Sequence, residues 1–177
     1  MKANAKTKIA DHVVGQLCPN CGLCCDSTLF ADVELRAGDD PERLQALGLK
    51  PFKKRNSKLA FAQPCACFDG RLCKIYQDRP KRCRLFECGL LKRVAGGEMT
   101  AGAALKRIRQ AKQKANDIRD LLRSLGQRDE EMALTQRYAE AMSAPMDLGD
   151  ETATDKHGEL MLAVNDLMNR LQTDFLS

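Results

Sequence analysis

The sequence of 177 residues has few aromatic and histidine side chains. It contains no Trp, two Tyr and six Phe, so we expect no large aromatic core and few rings for stacking nucleic-acid bases. Neither His12 nor His157 has a recognisable catalytic context, and there is no Gly-rich phosphate loop or Ser-His-Asp arrangement. No apolar run approaches the roughly 20 residues of a membrane helix, and residues 1–8 lead into no signal-peptide core. We therefore expect a cytoplasmic protein with no membrane association.

Cysteine, in contrast, is abundant, and all nine residues fall into two clusters. The first is a Cys-x2-Cys-x2-Cys-Cys run, and the second spreads five cysteines over a short segment, with no histidine in either. The odd count, the adjacent pair in the first cluster and the lack of a signal peptide argue against a disulfide framework. Thiolates are soft ligands that favour zinc or iron–sulfur chemistry over magnesium, calcium or manganese. The pattern predicts a metal-binding protein.

The first cluster combines two motifs. Cys18 and Cys21, with Gly22 after them, are typical of a metal knuckle, a turn that points two thiolates at one ion. Cys24 continues the three-residue spacing that bacterial ferredoxins use to bind a four-iron cluster. Cys25 follows directly, and adjacent side chains diverge in both helix and strand. We therefore expect these two neighbours to serve different metals, or two metals of one cluster.

The second cluster raises a related geometric question. Cys83 and Cys88 are five residues apart, which is about 140° around an ideal helix, so they converge only if the helix is interrupted or if they serve different metals. Cys65, Cys73, Cys83 and Cys88 are too few to complete two four-thiolate sites without the first cluster. We expect the two segments to interleave in space, with the metal centre or centres held between them.

Hydrophobic periodicity and capping residues predict a mainly helical α+β protein in two parts. Residues 1–97 should form an irregular, metal-stapled, cysteine-rich domain with short strands, after a frayed lead-in over residues 1–17. A short helix is predicted at 42–47, strands at 59–62 and 73–76, and a helix from Pro80 through Cys83 to about Val94. Residues 98–177 should form a C-terminal region of about three helices.

These three helices have recognisable ends. Thr100 can cap a helix that Gly126 stops, and Asp129 can cap a second helix to about Met142. An acidic linker is predicted over 146–153, and Thr154 or Asp155 can cap the third helix. Apolar side chains at helical spacing in the first and third helices predict ordinary helix-packing faces.

Charge is distributed unevenly along the chain. Residues 71–128 carry 16 basic and 5 acidic side chains, whereas residues 129–177 carry 3 basic and 11 acidic ones. The basic middle could bind an external polyanion, or it could pair with the acidic end inside the fold. We favour internal pairing. Basic residues beside the second cluster also have a local explanation, because cations lower thiolate pKa values and stabilise a negatively charged metal site.

The cysteine pattern, together with Ile75–Tyr76–x–x–Arg79–Pro80 before Cys83, resembles the CxxCxxCC zinc- or iron-chelating family, the YkgJ-type cysteine-cluster proteins. The resemblance covers about residues 14–93 and implies metal binding without implying one reaction. The cluster is also similar to the cysteine-rich part of flagellin lysine methylases. Carried over by position, the metal ligands are Cys18, Cys21, Cys24, Cys25, Cys65, Cys73, Cys83 and Cys88. Cys67 is an addition to the pattern and a weaker candidate.

Three functions follow from these observations. The favoured one is a non-enzymatic protein that holds zinc or iron, with structural or partner-binding helices. The second is an iron–sulfur redox enzyme or a methylase-like component, and the third is a zinc module that binds nucleic acid. Arg79 is interpreted as a cation that neutralises thiolate charge, the alternative being recognition of an anionic substrate beside Tyr76.

Overall fold

A computed structural model describes residues 5–145 and 151–177. In these ranges the chain forms seven α-helices and three short strands, which confirms the predicted mainly helical α+β class. The helices are α1 (Ala5–Cys21), α2 (Pro41–Ala46), α3 (Lys81–Leu85), α4 (Gly89–Ala95), α5 (Ala101–Ser124), α6 (Leu134–Ser143) and α7 (Glu151–Asp174), and the strands are β1 (Asp32–Glu34), β2 (Pro51–Lys53) and β3 (Leu59–Ala62). None of these helices combines the length and apolar character that crossing a membrane requires. The division at residue 97 stays a prediction.

The larger of two hydrophobic cores surrounds α5. The Thr100 side chain caps this helix by accepting a hydrogen bond from the Ala103 N–H (3.2 Å), and Gly126, in the left-handed region at φ +87°, follows its end. The predicted helix is confirmed. One face of α5 is buried against α1, α4 and α7, and its buried side chains are Ala104, Ile108, Ala111, Ala115, Ile118 and Leu122. We call this the helical core.

The smaller core lies under an antiparallel sheet in the order β1–β3–β2, and we call it the sheet core. Val33 on β1 pairs with Phe61 on β3, and both are buried with Leu44 of α2. The α2 helix begins at Pro41, one residue before the predicted 42, and the Asp40 carboxylate caps it by accepting a hydrogen bond from the Arg43 N–H (3.0 Å). Its last residue is Ala46, one earlier than expected. The predicted strand at 59–62 is also confirmed.

Two predictions for the second cysteine segment are wrong. Residues 73–76 form no strand, because Cys73 makes only an isolated antiparallel bridge with Phe68 and the chain then turns into a short 3-10 helix, Tyr76–Asp78. The helix expected from Pro80 to Val94 is interrupted after Leu85. Phe86 is extended there, and its ring packs edge-on against Phe30, with the centroids 5.0 Å apart. Cys88 then caps α4.

The first segment also differs from the prediction. Most of residues 1–17 belong to α1, because Val13 and Leu17 are buried in the helical core. The helix continues to Cys21, so the predicted turn at Cys18 and Cys21 is instead the last turn of α1. The side chain of Asp129 accepts a hydrogen bond from the Glu131 N–H in a local turn, so α6 begins later than expected. Residues 146–150 of the predicted linker lie outside the described residues, and 151–153 are helical.

The basic middle of the chain pairs with its acidic end. Lys114 on α5 forms an ion pair with Asp166 on α7, and Arg107 on α5 pairs with Asp174 at the end of the same helix. Arg93 on α4 also reaches Asp174, at 3.1 Å. This is the internal pairing that we favoured from the charge distribution. It uses part of the basic surface that could otherwise bind a polyanion.

Candidate metal centre

Cysteines from both segments line one cavity of about 790 Å³. Eight of the nine contribute to its wall, and they are Cys18, Cys21, Cys24, Cys25, Cys65, Cys73, Cys83 and Cys88. These are the residues that the sequence predicts as metal ligands. The cavity lies between the two cores, since some of these cysteines pack against the helical core and others against the sheet core. All nine cysteines are free thiols.

Four of the eight form what we call the first thiol group. Cys18 and Cys21 are three residues apart on the last turn of α1, which places them on one face of the helix. Gly22 follows at φ +77°, and the chain turns so that Cys24 also faces this group. Cys88 lies at the start of α4. Its negative charge, as a thiolate, raises the pKa values of the other three cysteines.

The other four form the second thiol group. Cys25 brings the first segment into it, because its carbonyl oxygen accepts a hydrogen bond from the Cys65 N–H (2.8 Å). The remaining members are Cys65, Cys73 and Cys83, which pack against the sheet core. As thiolates, all three raise the pKa of Cys25. After burial, the largest effect on the pKa of Cys24 comes from Cys21, and the largest on that of Cys25 comes from Cys65. Cys25 also acts on Cys24, so the two groups adjoin at this pair. Each group takes three thiols from one segment and one from the other.

Burial favours the protonated form of several of these thiols when no metal is bound. Removal from water, followed by repulsion from neighbouring thiolates, raises the pKa of Cys25 and Cys83 to about 12. Burial likewise raises the pKa of Cys21 to about 12, and the pKa values of Cys18 and Cys65 to about 11. At neutral pH a bound cation must therefore displace protons from several ligands.

Arg79 is the cation that faces both groups. It lowers the pKa of Cys18 in the first group and of Cys83 in the second, in each case against the larger effect of burial. Its guanidinium lies 3.6 Å from the centre of the Tyr76 ring, and its Nε donates a hydrogen bond to the Tyr76 carbonyl oxygen (2.9 Å). These contacts fix the arginine beside the thiols. The position agrees with the interpretation that Arg79 offsets thiolate charge.

Comparison with known families agrees with this arrangement. Residues 17–121 match the CxxCxxCC family, described as "Putative zinc- or iron-chelating domain". The chain belongs to this family. The match includes all the cysteines and most of α5, and it ends before α6. No curated protein and no solved structure matches the chain.

The ninth cysteine of this CxxCxxCC protein, Cys67, is not part of the cavity wall, although its thiol lies within hydrogen-bond reach of Cys65. Cys67 is 3 % exposed, and it packs in the sheet core beside Leu49 and Phe61. Its thiol donates a hydrogen bond to the Leu47 carbonyl oxygen at 3.4 Å. This environment is that of a small core side chain. It agrees with treating Cys67 as an addition to the ligand pattern.

Several residues around the cavity were not predicted. Arg119 of α5 donates hydrogen bonds to the Asp26 carbonyl oxygen (3.1 Å) and the Thr28 hydroxyl (2.9 Å), and so holds the loop after Cys25. Gln63 is 2 % exposed and lines the cavity, and its Oε1 has no hydrogen-bond partner within the described part of the chain. Burying an oxygen without a hydrogen-bond partner costs free energy. The Gln63 Oε1 can therefore accept a hydrogen bond from a donor group bound in the cavity. Neither residue has a distinguishing signal in the sequence.

The donor set fits zinc or iron, although the thiols do not yet surround an ion. Within residues 5–145 and 151–177, no three Cys, His, Asp or Glu side chains converge closely enough to coordinate a metal. Eight thiols in two neighbouring sets of four are nevertheless the number and ligand type of two tetrahedral zinc sites or two iron–sulfur clusters.

Proposed function

We propose that the protein holds two metal centres, one in each thiol group. The first would be bound by Cys18, Cys21, Cys24 and Cys88, and the second by Cys25, Cys65, Cys73 and Cys83. The observation that carries the proposal is the position of Cys25, whose carbonyl oxygen accepts a hydrogen bond from the Cys65 N–H and whose thiol is influenced most by Cys65, Cys83 and Cys73. With Cys25 in the second group, both groups reach four ligands, and the buried Cys67 is not needed.

The proposed role is structural. Cys21 and Cys88 pack against the helical core, whereas Cys65 and Cys83 pack against the sheet core. Metals in the adjoining groups would tie these two cores together, and their binding free energy would contribute to folding. Each centre with four thiolates is a buried anion, which the guanidinium of Arg79 would offset.

Zinc is the first candidate for both centres, because a closed four-thiolate site with no open position is typical of structural zinc. Iron–sulfur clusters are the second candidate, and one observation favours them. The first group is a Cys-x2-Cys-x2-Cys run completed by a distant cysteine, while the next cysteine in the sequence joins the other group. Ferredoxins with two clusters exchange ligands in the same manner. In that case the centres could also transfer electrons.

The experiment is metal analysis of protein purified without oxygen, together with a visible spectrum. Two equivalents of zinc and no colour would support the structural role, and iron with acid-labile sulfide would support the second candidate. Cys24→Ser and Cys25→Ser should each lose about half of the bound metal, and the double variant should lose nearly all. Equal occupancy in the wild type and both single variants would contradict the two-centre arrangement.

The surface supports a protein partner more than nucleic acid. Three large apolar side chains on α7 are at least about half exposed: Met161 (52 %), Leu162 (73 %) and Met168 (49 %). Several basic side chains of α5, by comparison, pair with carboxylates of the same chain. We infer that the helical region binds another protein in the cytoplasm, where reduced thiols persist.

A further inference from the structure

The end of α7 packs directly against the residue that follows Cys88. The Gly89 N–H donates a hydrogen bond to the Phe175 carbonyl oxygen at 3.0 Å. A Cβ atom on Gly89 would lie 2.7 Å from both the Asp174 carbonyl oxygen and the Ser177 hydroxyl. No side chain fits in that space without moving the C-terminal segment, residues 174–177. The start of α4, and with it Cys88, is therefore located by the last residues of the chain.

A buried carboxylate fixes this segment. The side chain of Asp174 is 6 % exposed, and it accepts hydrogen bonds from Arg93 on α4 (3.1 Å) and from Arg107 on α5. Arg93 also donates to the Asp174 carbonyl oxygen at 3.2 Å. One carboxylate thus joins three helices at the base of α4. Because it is buried and paired, its removal leaves two guanidinium groups without their partner.

The same segment forms part of the cavity wall. Phe175 is 2 % exposed, and it lines the cavity together with Leu90 and Leu91 of α4. The family match ends at residue 121, so this wall is contributed by a part of the chain outside the matched domain. Cys65, Cys73 and Cys83 of the second thiol group pack instead against the sheet core, to which α7 contributes no residue within the described part of the chain.

We propose that the C-terminal segment is a positioning element for Cys88, so that metal binding by the first thiol group depends on it and binding by the second does not. The inference rests on the proposed two-centre function. Cys88 is the only member of the first group that comes from the second cysteine segment, so displacing α4 would leave that group with three thiols. Asp174 and Gly89 act through Cys88 and touch no metal themselves.

The test separates the two groups before disturbing the segment. Cys25→Ser with Cys83→Ser leaves only the first group intact, and Cys18→Ser with Cys21→Ser leaves only the second. Asp174→Ala is then introduced into each full-length background, and zinc affinity is measured by chelator competition. We expect zinc affinity to fall by about 10–100-fold in the first background, which is the range found for residues that support metal ligands. Zinc affinity should change little in the second background. Asp166→Asn, on the exposed face of α7, is the matched control and should change neither.

A second measurement does not use Asp174→Ala, so it does not depend on how well that variant folds. Zinc added to the protein that keeps only the first group should slow hydrogen exchange at the Gly89 amide, because coupling between two sites is reciprocal. It should not do so in the protein that keeps only the second group. Equal loss of zinc affinity in both backgrounds, or no slowing at Gly89, would overturn the inference while leaving two-metal binding intact. A wild-type protein that binds no metal would overturn the proposed function itself, and this inference with it.

Discussion

Gly22 offers a direct test of how the two cysteine segments fit together. It lies between Cys21 and Cys24 in the left-handed region, at φ +77°. A Cβ atom at this position would lie 2.6 Å from Cζ of Phe68, a separation that real Cβ atoms do not show. The ring of Phe68, from the second segment, therefore rests against the backbone of the first. Gly22→Ala should strain both the local conformation and this contact.

Gly97 supplies a control with the same backbone angle. It also has φ +77°, but a Cβ atom there would meet nothing within 4 Å. The left-handed conformation costs a residue with a Cβ about 1–2 kcal/mol, and the stiffening of the unfolded chain offsets about 0.4–1 kcal/mol of that cost. Gly97→Ala should therefore lower the free energy of unfolding by about 1 kcal/mol. Gly22→Ala adds overpacking of about 1–3 kcal/mol, for a total of about 2–4 kcal/mol.

The assay is urea unfolding of the reduced, metal-loaded full chain, followed by circular dichroism. Phe68→Leu removes the ring atoms that the new methyl group would meet, so the double variant with Gly22→Ala should be less destabilised than the sum of the single variants. Zinc affinity of the first thiol group should fall with Gly22→Ala and stay unchanged with Gly97→Ala. Equal destabilisation by both alanine substitutions, with additive effects in the double variant, would refute the proposed contact.

Three further predictions concern the ninth cysteine, the charge pairing and the thiols. Cys67→Ala should retain both metal equivalents and lose about 1 kcal/mol of stability, as expected for a small core change, and loss of a metal would make Cys67 a ligand. Lys114→Glu should lower the free energy of unfolding by up to about 1 kcal/mol, more than Lys106→Glu, which loses no ion pair within the described residues. Binding of RNA that Lys114→Glu abolishes would favour the nucleic-acid function instead. In the metal-free protein, burial raises the pKa of Cys21 and Cys25 to about 12, above the unfolded value near 8.5, so the unfolded chain loses protons first. Stability of that form, measured by urea unfolding under reducing conditions, should fall as the pH rises from about 8.5 to 10, and a rise would contradict the burial of the thiols.

Features set by local chemistry could be predicted from the sequence. Asp40 and Thr100 cap their helices with their own side chains, and Gly126 ends α5 because it can adopt a positive φ. These inferences need no knowledge of the rest of the chain. Each one is present in the structure at the expected residue or within one residue of it.

Features set by distant contacts could not be predicted. The last turn of α1 extends through Cys21 because Val13 and Leu17 pack in the helical core, much of which α5 and α7 provide. The motif of Cys18 and Cys21 therefore forms the last turn of a helix, and its two thiols lie on one face of that helix. Asp174 is a partial exception, since it continues the apolar stripe of Leu167 and Leu171 at helical spacing. A charged residue on a buried face indicates a buried ion pair, and this signal was available in the sequence.

The interruption between α3 and α4 shows how a local constraint and a distant contact combine. Five residues in one continuous helix would leave Cys83 and Cys88 about 140° apart, so the sequence allowed them only an interrupted helix or separate metals. The interruption is present in the structure, and separate metals are part of the proposed function. Phe86 leaves the helix to pack against Phe30, and the chain then re-enters a helix at the Cys88 cap. This directs Cys83 toward the sheet core and Cys88 toward the helical core. Two metals placed there would each bind ligands from both sequence segments, so neither segment could fold fully around its metal without the other.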